Sequence, residues 1–291
     1  MNNAGRALKA YDDLVGRREH VGMLSSRSGP IVDVNARACA ADPGRWFRRF
    51  GASPGARRRL ICFHHAGGGA SLFSDWHRHL TLTTEVWAVV LPGRETRFAE
   101  APLDRMDALA AMLVEAMPLD LPFAFFGHSL GAMVGFEVAA QLRRRSLPEP
   151  AHLFVSACFA PQLCLRERSR ATLSDAELLH ALESFGGTPK EILEYPEYLE
   201  MVLAVLRADF NLIDSYAAPE GGELRFPITA YAGMSDPHVP PAQMMNWEQW
   251  AMPGFTCRSF VGDHFYLNDQ RAALIGDLLA RWNDDAPPGI V

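Results

Sequence analysis

Short apolar runs recur along most of the chain, each bounded by glycine, proline or polar residues. Runs of this kind are typical of strands that are buried on both faces of a parallel sheet. They predict strands at 60–63, 85–90, 123–127, 153–157, 228–232 and 256–260. Helices are predicted between them at 71–80, 106–117, 131–145, 241–250 and 269–282. Strands that alternate with helices at this spacing predict an α/β fold with a mostly parallel central sheet flanked by helices.

The alternation stops between about residues 162 and 222, where the pattern is helical throughout. Helices are predicted at 174–185 and 197–216, the second with an apolar stripe along one side. Helices inserted between the strands of a sheet indicate a cap over the sheet's edge. The chain before Trp46 shows little periodic order. We therefore expect three parts: a disordered or partly ordered extension at 1–45, one domain at 46–284 with its helical insertion at about 162–222, and a tail at 285–291.

Composition and charge narrow the class of protein. Apolar residues make up 48% and charged residues 21% of the 291 residues, a balance that supports a sizeable core. The net charge of −6 offers no overall basic field for nucleic acid. No apolar run approaches the roughly 18 residues of a membrane span, and the start lacks the apolar core of a signal peptide. Five scattered cysteines without a C-x-x-C pair indicate free thiols. We expect a cytoplasmic monomer without nucleic-acid or membrane partners.

Ser129 is the candidate nucleophile, because it lies in the pentad Gly127-His128-Ser129-Leu130-Gly131. This G-x-S-x-G follows a predicted strand and precedes a predicted helix, as a nucleophile elbow requires. The turn is so tight that side chains at both flanks would clash, which explains the two glycines. The alternative is an incidental serine in a glycine-rich turn, and the strand–helix context favours the nucleophile.

A serine nucleophile needs a base and an acid, and His264 and Asp236 are the candidates. Both follow predicted strands, and the order Ser, Asp, His along the chain is that of α/β-hydrolases. The other slot for the acid, at 158–161, contains no carboxylate. Asp209 and Asp214 lie on a predicted helix of the insertion, where a solvated or structural role is expected. Asp263 is adjacent to the histidine and poorly placed to orient its ring.

Two backbone N–H groups must meet the oxyanion of the tetrahedral intermediate. One is expected from Leu130, the residue after the nucleophile. The other is expected from the turn after the first predicted strand, where we choose Ala66, with Gly67 as the next candidate. The glycines of this turn match neither the P-loop nor the dinucleotide-binding pattern. No metal and no resident cofactor are expected.

Six segments occur in an order that is specific to one family: CFHHAGGGAS at 62–71, LPGRE at 91–95, GHSLGA at 127–132, GGTP at 186–189, LRADF at 206–210 and GDHF at 262–265. Together they closely resemble the type II thioesterases of polyketide and nonribosomal peptide synthesis, over about 46–282. The resemblance implies an α/β-hydrolase fold whose insertion is a mobile lid. It also implies the triad Ser129, Asp236 and His264, with Ala66 and Leu130 as oxyanion donors.

The resemblance further implies an editing activity, the hydrolysis of wrong or stalled acyl groups from carrier proteins. The partners would be acyl or peptidyl carrier proteins, and the phosphopantetheine arm would belong to the substrate. Two features depart from the family: His64 stands where proline is usual, and an extra segment precedes Trp46. Arg94, Arg97 and the arginines 143–145 are candidates for contact with acidic carrier helices, although a solvated helix face also explains 143–145.

Other functions remain open at this point. A general carboxylesterase or a short-chain acyl-CoA thioesterase would use the same fold and the same triad. A chain-terminating, cyclising thioesterase is a further alternative, although such domains are normally fused to a synthase. A non-catalytic carrier-protein binder belongs to a different class, and it would have no need of an intact serine, aspartate and histidine.

Overall fold

The central element of the protein is a seven-stranded sheet, seen in a computed structural model that describes residues 42–51, 53–163, 173–179, 196–218, 224–252 and 254–284. Its strands are β1 Phe47–Phe50, β2 Arg58–Phe63, β3 Thr84–Val89, β4 Phe123–His128, β5 Leu153–Ser156, β6 Ile228–Gly233 and β7 Phe255–Phe260. Their order across the sheet is β1-β3-β2-β4-β5-β6-β7. All neighbours are parallel except β1, which runs antiparallel to β3. This architecture confirms the predicted mostly parallel sheet.

Six labelled helices accompany the described strands: α1 Pro43–Trp46, α2 Met106–Glu115, α3 Leu130–Arg144, α4 Pro196–Asp214, α5 Pro241–Met244 and α6 Arg271–Asp284. Residues 175–179 are also helical. Short 3₁₀ helices lie at Ala70–Phe73, Trp76–Arg78, Glu95–Arg97, Pro161–Leu163 and Met245–Trp250. The prediction is confirmed within two or three residues at both ends of α2, α3, α4 and α6.

Successive residues of the inner strands point into two different cores. On β2, Ile61 and Phe63 belong to the core that contains α2 and α3. Leu60 and Cys62 belong to the opposite core, which contains α6 and residues 70–76. Both faces of the sheet are therefore covered, and this is why the strands appear in the sequence as continuous apolar runs.

The helix predicted at 71–80 is wrong, and so is the second half of the one predicted at 241–250. The first region forms two short 3₁₀ helices, and the second changes from α5 to 3₁₀ at Met245. In both places two large aromatic residues are three positions apart and pack on one ring. Phe73 and Trp76 contact Phe126, whereas Trp247 and Trp250 contact Phe136. The three-residue turn of a 3₁₀ helix places residues i and i+3 on one side, so tertiary packing overrides the α-helical pattern.

The strand β1 was not predicted, since it has only four residues and its centre consists of two exposed arginines. Pairing with β3 supplies the hydrogen bonds that its short apolar pattern does not reveal. Within the predicted insertion, the described residues are 162–163, 173–179 and 196–218. Residues 1–41 of the predicted extension and the tail at 285–291 lie outside the described residues. None of the described helices is both long and apolar enough to span a membrane.

Candidate active site

Ser129 occupies a sharp turn between β4 and α3. Its φ of 54° lies in the left-handed region, which a residue with a side chain rarely adopts. A backbone hydrogen bond stabilises this strained conformation, because the Ser129 N–H donates to the Ser156 carbonyl at 2.8 Å. A Cβ on Gly131 would lie 2.1 Å from the Phe63 carbonyl oxygen, and one on Gly127 would lie 2.3 Å from the Gly131 oxygen. Both glycines of the pentad are therefore required by close backbone approach, as expected of a nucleophile elbow.

Asp236 and His264 come together in the loops that follow the last two strands, β6 and β7. His264 Nδ1 lies 2.7 Å from Asp236 Oδ2, and both side chains are almost wholly buried. The other carboxylate oxygen accepts the N–H groups of His238 at 2.8 Å and Val239 at 3.0 Å. A Cβ on Gly233, at the end of β6, would lie 2.1 Å from the Asp263 carbonyl oxygen, so the two loops approach as closely as backbones can. The predicted acid–histidine pair is thus formed.

Hydrogen bonding keeps Asp236 ionised in this buried position. Burial raises the pKa of its carboxyl group, but the hydrogen bond and charge of His264 and the two backbone N–H groups outweigh that effect. The net result is a pKa below the usual value. Because an ionised carboxylate only accepts, His264 must donate from Nδ1 and its Nε2 is left to accept a proton. The alternative acid, Asp263, instead accepts the N–H of Phe265 at 2.8 Å.

Ring contacts place the nucleophile turn, the histidine loop and the loop after β2 beside one another. The His128 ring, next to Ser129 in sequence, lies 5.3 Å from the His264 ring. The His65 ring lies 4.8 Å from Phe265 and 6.1 Å from His128. The sequence analysis did not single out His65 or His128 as site residues. Nothing in the linear pattern distinguishes them from histidines such as His152, which stacks on Phe154 away from this site.

His64 and His128 are buried, His65 is half-buried, and the environment of all three favours the neutral imidazole. Burial lowers the pKa of all three imidazoles, and the charges of Arg94 near His64 and of His264 near His128 lower it further. His128 Nδ1 lies 2.9 Å from Ser156 Oγ, which in turn lies 2.6 Å from the Tyr266 hydroxyl. A buried hydrogen-bonded chain therefore supports the turn from behind. Neutral rings at these three positions add no positive charge beside His264.

The backbone N–H groups of Ala66 and Leu130 donate to no other described residue. The N–H of Gly67 is occupied, because it donates to Asp209 Oδ2 at 2.7 Å. This contact favours Ala66 over Gly67 as the donor from the loop after β2. Leu130 is the first residue of the 15-residue helix α3, whose N-terminus favours developing negative charge.

Two arginines proposed for carrier contact are buried inside the protein, and that interpretation is wrong for them. Arg94 pairs with Asp209, and Arg97 donates to the Val90 carbonyl and to Glu100. Their side chains are only 8% and 6% exposed. Asp209 is structural, as expected, but it is fully buried rather than solvated. Arg144 and Arg145 are exposed, so contact with a partner stays a prediction for that group.

A family model described as a thioesterase domain matches residues 58–281 of the chain. This chain belongs to the thioesterase family. The match extends from the first residue of β2 into α6 and includes the elbow, the acid loop and the histidine loop. The family and the geometry agree on a serine hydrolase with an α/β-hydrolase fold, and they confirm the resemblance seen in the sequence.

Two relatives and one solved structure illustrate what this thioesterase is similar to. It is 35% identical over 233 residues to the gramicidin S biosynthesis protein GrsT of Aneurinibacillus migulanus, covering 79% of this chain and 91% of that protein. It is 37% identical over 240 residues to thioesterase PikA5 of Streptomyces venezuelae, covering 81% and 85%. Among solved structures, the type II thioesterase BorB from the borrelidin biosynthetic cluster matches with a TM-score of 0.73 and 35% identity, covering 81% of this chain and 97% of that one.

Proposed function

We propose that this thioesterase removes aberrant or stalled acyl groups from the phosphopantetheine thiol of acyl or peptidyl carrier proteins. The observation that carries the proposal is the hydrogen-bonded Asp236–His264 pair beside the Ser129 turn, in a chain that matches type II thioesterases over most of its length. In this proposal the enzyme acts as a cytoplasmic monomer on separate carrier proteins. The insertion at about 162–222 acts as the lid, and no metal or resident cofactor takes part.

The first half-reaction transfers the acyl group to Ser129. His264 Nε2 takes the hydroxyl proton while Ser129 Oγ attacks the thioester carbonyl carbon, and Asp236 stabilises the imidazolium that forms. The N–H groups of Ala66 and Leu130 donate to the resulting oxyanion. When the carbonyl re-forms, the C–S bond breaks and the thiol sulfur takes the proton from His264. A thiol leaves readily because its pKa of about 8.5 is far below that of an alcohol.

The second half-reaction returns the enzyme to its starting state. Water attacks the acyl-serine carbonyl carbon and gives its proton to His264, and the same two N–H groups stabilise the second oxyanion. The C–Oγ bond then breaks and His264 returns the proton to Ser129. The products are a free carboxylic acid and a carrier protein whose thiol is again available.

The test compares the hydrolysis of the same acyl group from three different leaving groups, and it is repeated for several acyl groups. Acetyl, propionyl and longer acyl groups are attached to a holo acyl carrier protein, to N-acetylcysteamine and to p-nitrophenol, and hydrolysis is followed with wild-type protein and Ser129→Ala. We expect the highest kcat/KM with the carrier protein. We also expect Ser129→Ala to lower kcat by roughly 10⁶-fold, as for other serine hydrolases.

The other outcomes identify the competing functions. A higher kcat/KM for the p-nitrophenyl ester than for either thioester would indicate a general carboxylesterase. Equal rates on the carrier protein and on N-acetylcysteamine would remove the case for carrier recognition. Tight carrier binding without turnover would contradict an enzymatic role altogether.

A further inference from the structure

The carboxylate of Asp209 connects helix α4 to two loops of the active-site edge. Arg94 donates to both of its oxygens, each at 2.8 Å, and the Gly67 N–H donates to Oδ2 at 2.7 Å. The Asp209 side chain is 0% exposed and that of Arg94 is 8% exposed. A carboxylate this deeply buried depends on its partners, because an unpaired charge in the interior is very costly. Asp209 is thus fixed in position, and it fixes the loop in turn.

Apolar packing reinforces the same contact. Leu206 lies one turn before Asp209 on α4, and a Cβ on Gly67 would be only 3.0 Å from its Cδ2 atom. Gly67 has a φ of +72°, a conformation that suits glycine. Ala66 packs on the small cluster formed by Leu178, Leu203, Leu206 and Phe210. The loop therefore takes its shape against α4.

The hydrogen bonds around Ala66 determine where its N–H points. The peptide between His65 and Ala66 is held at its carbonyl, which accepts from His64 Nδ1 at 2.8 Å and from the Gly68 N–H at 3.0 Å. The peptide between Ala66 and Gly67 is held at both ends, by His65 Nδ1 at 2.9 Å and by Asp209. The C=O and N–H of a trans peptide point in opposite directions. The Ala66 N–H therefore points away from His64 Nδ1 and the Gly68 N–H, which donate to the carbonyl of the same peptide.

We propose that Asp209 is a positioning residue for hydrolysis: by accepting the Gly67 N–H, it holds the loop so that the Ala66 N–H is aimed at the oxyanion. Asp209 touches neither the substrate nor the reacting atoms. Through this contact, the geometry of the oxyanion site depends on the packing of α4 against the loop after β2. This inference rests on the proposed function, in which Ala66 is an oxyanion donor.

The test removes both charges at once with Asp209→Leu/Arg94→Met. Replacing a buried ion pair by apolar side chains of similar size is often neutral for stability, so the fold should survive while Gly67 loses its acceptor. The matched control is Arg59→Met/Glu85→Leu, which removes another buried arginine–carboxylate pair (side chains both 4% exposed) at the opposite ends of the strands. Rates on acyl-N-acetylcysteamine are expressed per active site titrated with a fluorophosphonate.

We expect the Asp209→Leu/Arg94→Met variant to lose about 10- to 100-fold in kcat with little change in KM, since losing one oxyanion donor outright costs about 10²–10³. The control should retain wild-type kcat. A trifluoromethyl ketone that forms a tetrahedral adduct on Ser129 should bind the variant more weakly by the same factor. An unreactive thioether analogue should bind it as well as wild type, because only the adduct carries the oxyanion charge.

Asp209→Asn provides a second variant. Its amide oxygen can still accept the Gly67 N–H, although the buried Arg94 loses its charged partner and the protein becomes less stable. It should keep most of the wild-type kcat and most of the affinity for the ketone. The ratio of ketone to thioether affinity decides the question in whichever variant folds.

Three results would overturn the inference: equal losses in the double variant and its control, parallel losses of ketone and thioether affinity, or a loss in Asp209→Asn as large as in the double variant. Wild-type protein that hydrolyses no thioester would instead refute the proposed function. The two failures are therefore distinguishable.

Discussion

The two ends of the central strands are built in opposite ways. At the carboxyl ends, Ser129 and Ala157 have φ values of 54° and 47°, and the Nε2 atoms of His64 and His128 are buried without a described partner. At the amino ends, Arg59 donates to Glu85, to Asp120 and to the Pro118 carbonyl, and its guanidinium covers the Trp87 ring. One end holds strained backbone and unsatisfied histidine nitrogens, whereas the other holds a network of ion pairs and hydrogen bonds around Arg59.

The difference indicates a division of roles. Strained backbone and unsatisfied buried polar atoms persist only where the surrounding structure determines them, and such features cluster at functional sites. In open parallel sheets, ligands bind beyond the carboxyl ends of the strands. The amino ends do not bind the ligand, so their side chains need only contribute to stability. Substitutions at the carboxyl ends should therefore change activity more than stability, and those at the amino ends should do the reverse.

Asp236→Asn should have the largest effect, a fall in kcat of about 10⁴-fold on thioester substrates. The amide donates toward His264 Nδ1, so the ring adopts the wrong tautomer and Nε2 no longer accepts the Ser129 proton. Asp263→Asn is the matched control, because its side-chain oxygen can still accept the Phe265 N–H. Steady-state kinetics and thermal melts on both variants test this, and equal losses of kcat would contradict the assignment of the acid.

Arg59→Met should cost about 3 kcal/mol of unfolding free energy, the lower end for breaking a buried ion pair. The lower end applies because Arg49 Nε remains 3.1 Å from Glu85. Glu85 otherwise loses its buried partner, and the Pro118 carbonyl loses a donor. Urea denaturation measures the loss, and kcat per titrated active site should equal that of wild type. A fall in kcat in the fully folded variant would contradict the expectation that substitutions at the amino ends change stability and not activity.

Much of the site-bearing framework was predictable, for reasons that particular residues illustrate. Strands such as β2 and β4 are short apolar runs because both of their faces are buried. The G-x-S-x-G glycines are forced by backbone contacts within the turn and with Phe63, and such local demands leave a local motif. Asp236 was found because few carboxylates follow a strand between Ser129 and His264.

Contacts between distant residues were not predictable from one sequence. Asp209 meets the Gly67 N–H across 142 positions, and neither residue differs in its local pattern from a solvated aspartate or a flexible glycine. The short helices at 70–78 depend on Phe73 and Trp76 meeting Phe126, which belongs to a different element. The buried position of Arg94 is likewise a property of the folded chain. Tertiary packing determines these features, and the periodicity of apolar residues along the sequence carries no information about it.

The buried histidines of the carboxyl end should make the protein acid-sensitive. Their pKa values are lowered in the folded state, so below about pH 6.5 the unfolded chain binds more protons and stability falls with falling pH. Each histidine contributes a slope of up to about 1.4 kcal/mol per pH unit between the unfolded and folded pKa values. His128→Gln should remove one such contribution in urea unfolding at pH 6.5, 6.0 and 5.5.

The exposed His79 offers the control for that measurement. The slope of unfolding free energy against pH should change more in His128→Gln than in His79→Gln, because only the first substitution removes a buried imidazole. If His128→Gln also retained the full slope, His128 would not contribute to acid sensitivity. The carboxyl end would then resemble the amino end in its response to pH.

Gly276→Ala should have the smallest effect, a gain of about 0.8–1 kcal/mol, because alanine favours a helix interior over glycine by that amount. Gly276 is exposed on α6, and an added Cβ would meet no atom within 4 Å. Thermal melting should show a Tm higher by about 2–4 °C, as expected for a domain of this size. The kcat should not change, since the substitution touches neither end of the strands. A higher Tm accompanied by a lower kcat would contradict this expectation. It would show that a more rigid α6 affects the active site through the His264 loop that precedes it. Stability and activity would then depend on the same part of the molecule, contrary to the division between the two ends of the strands.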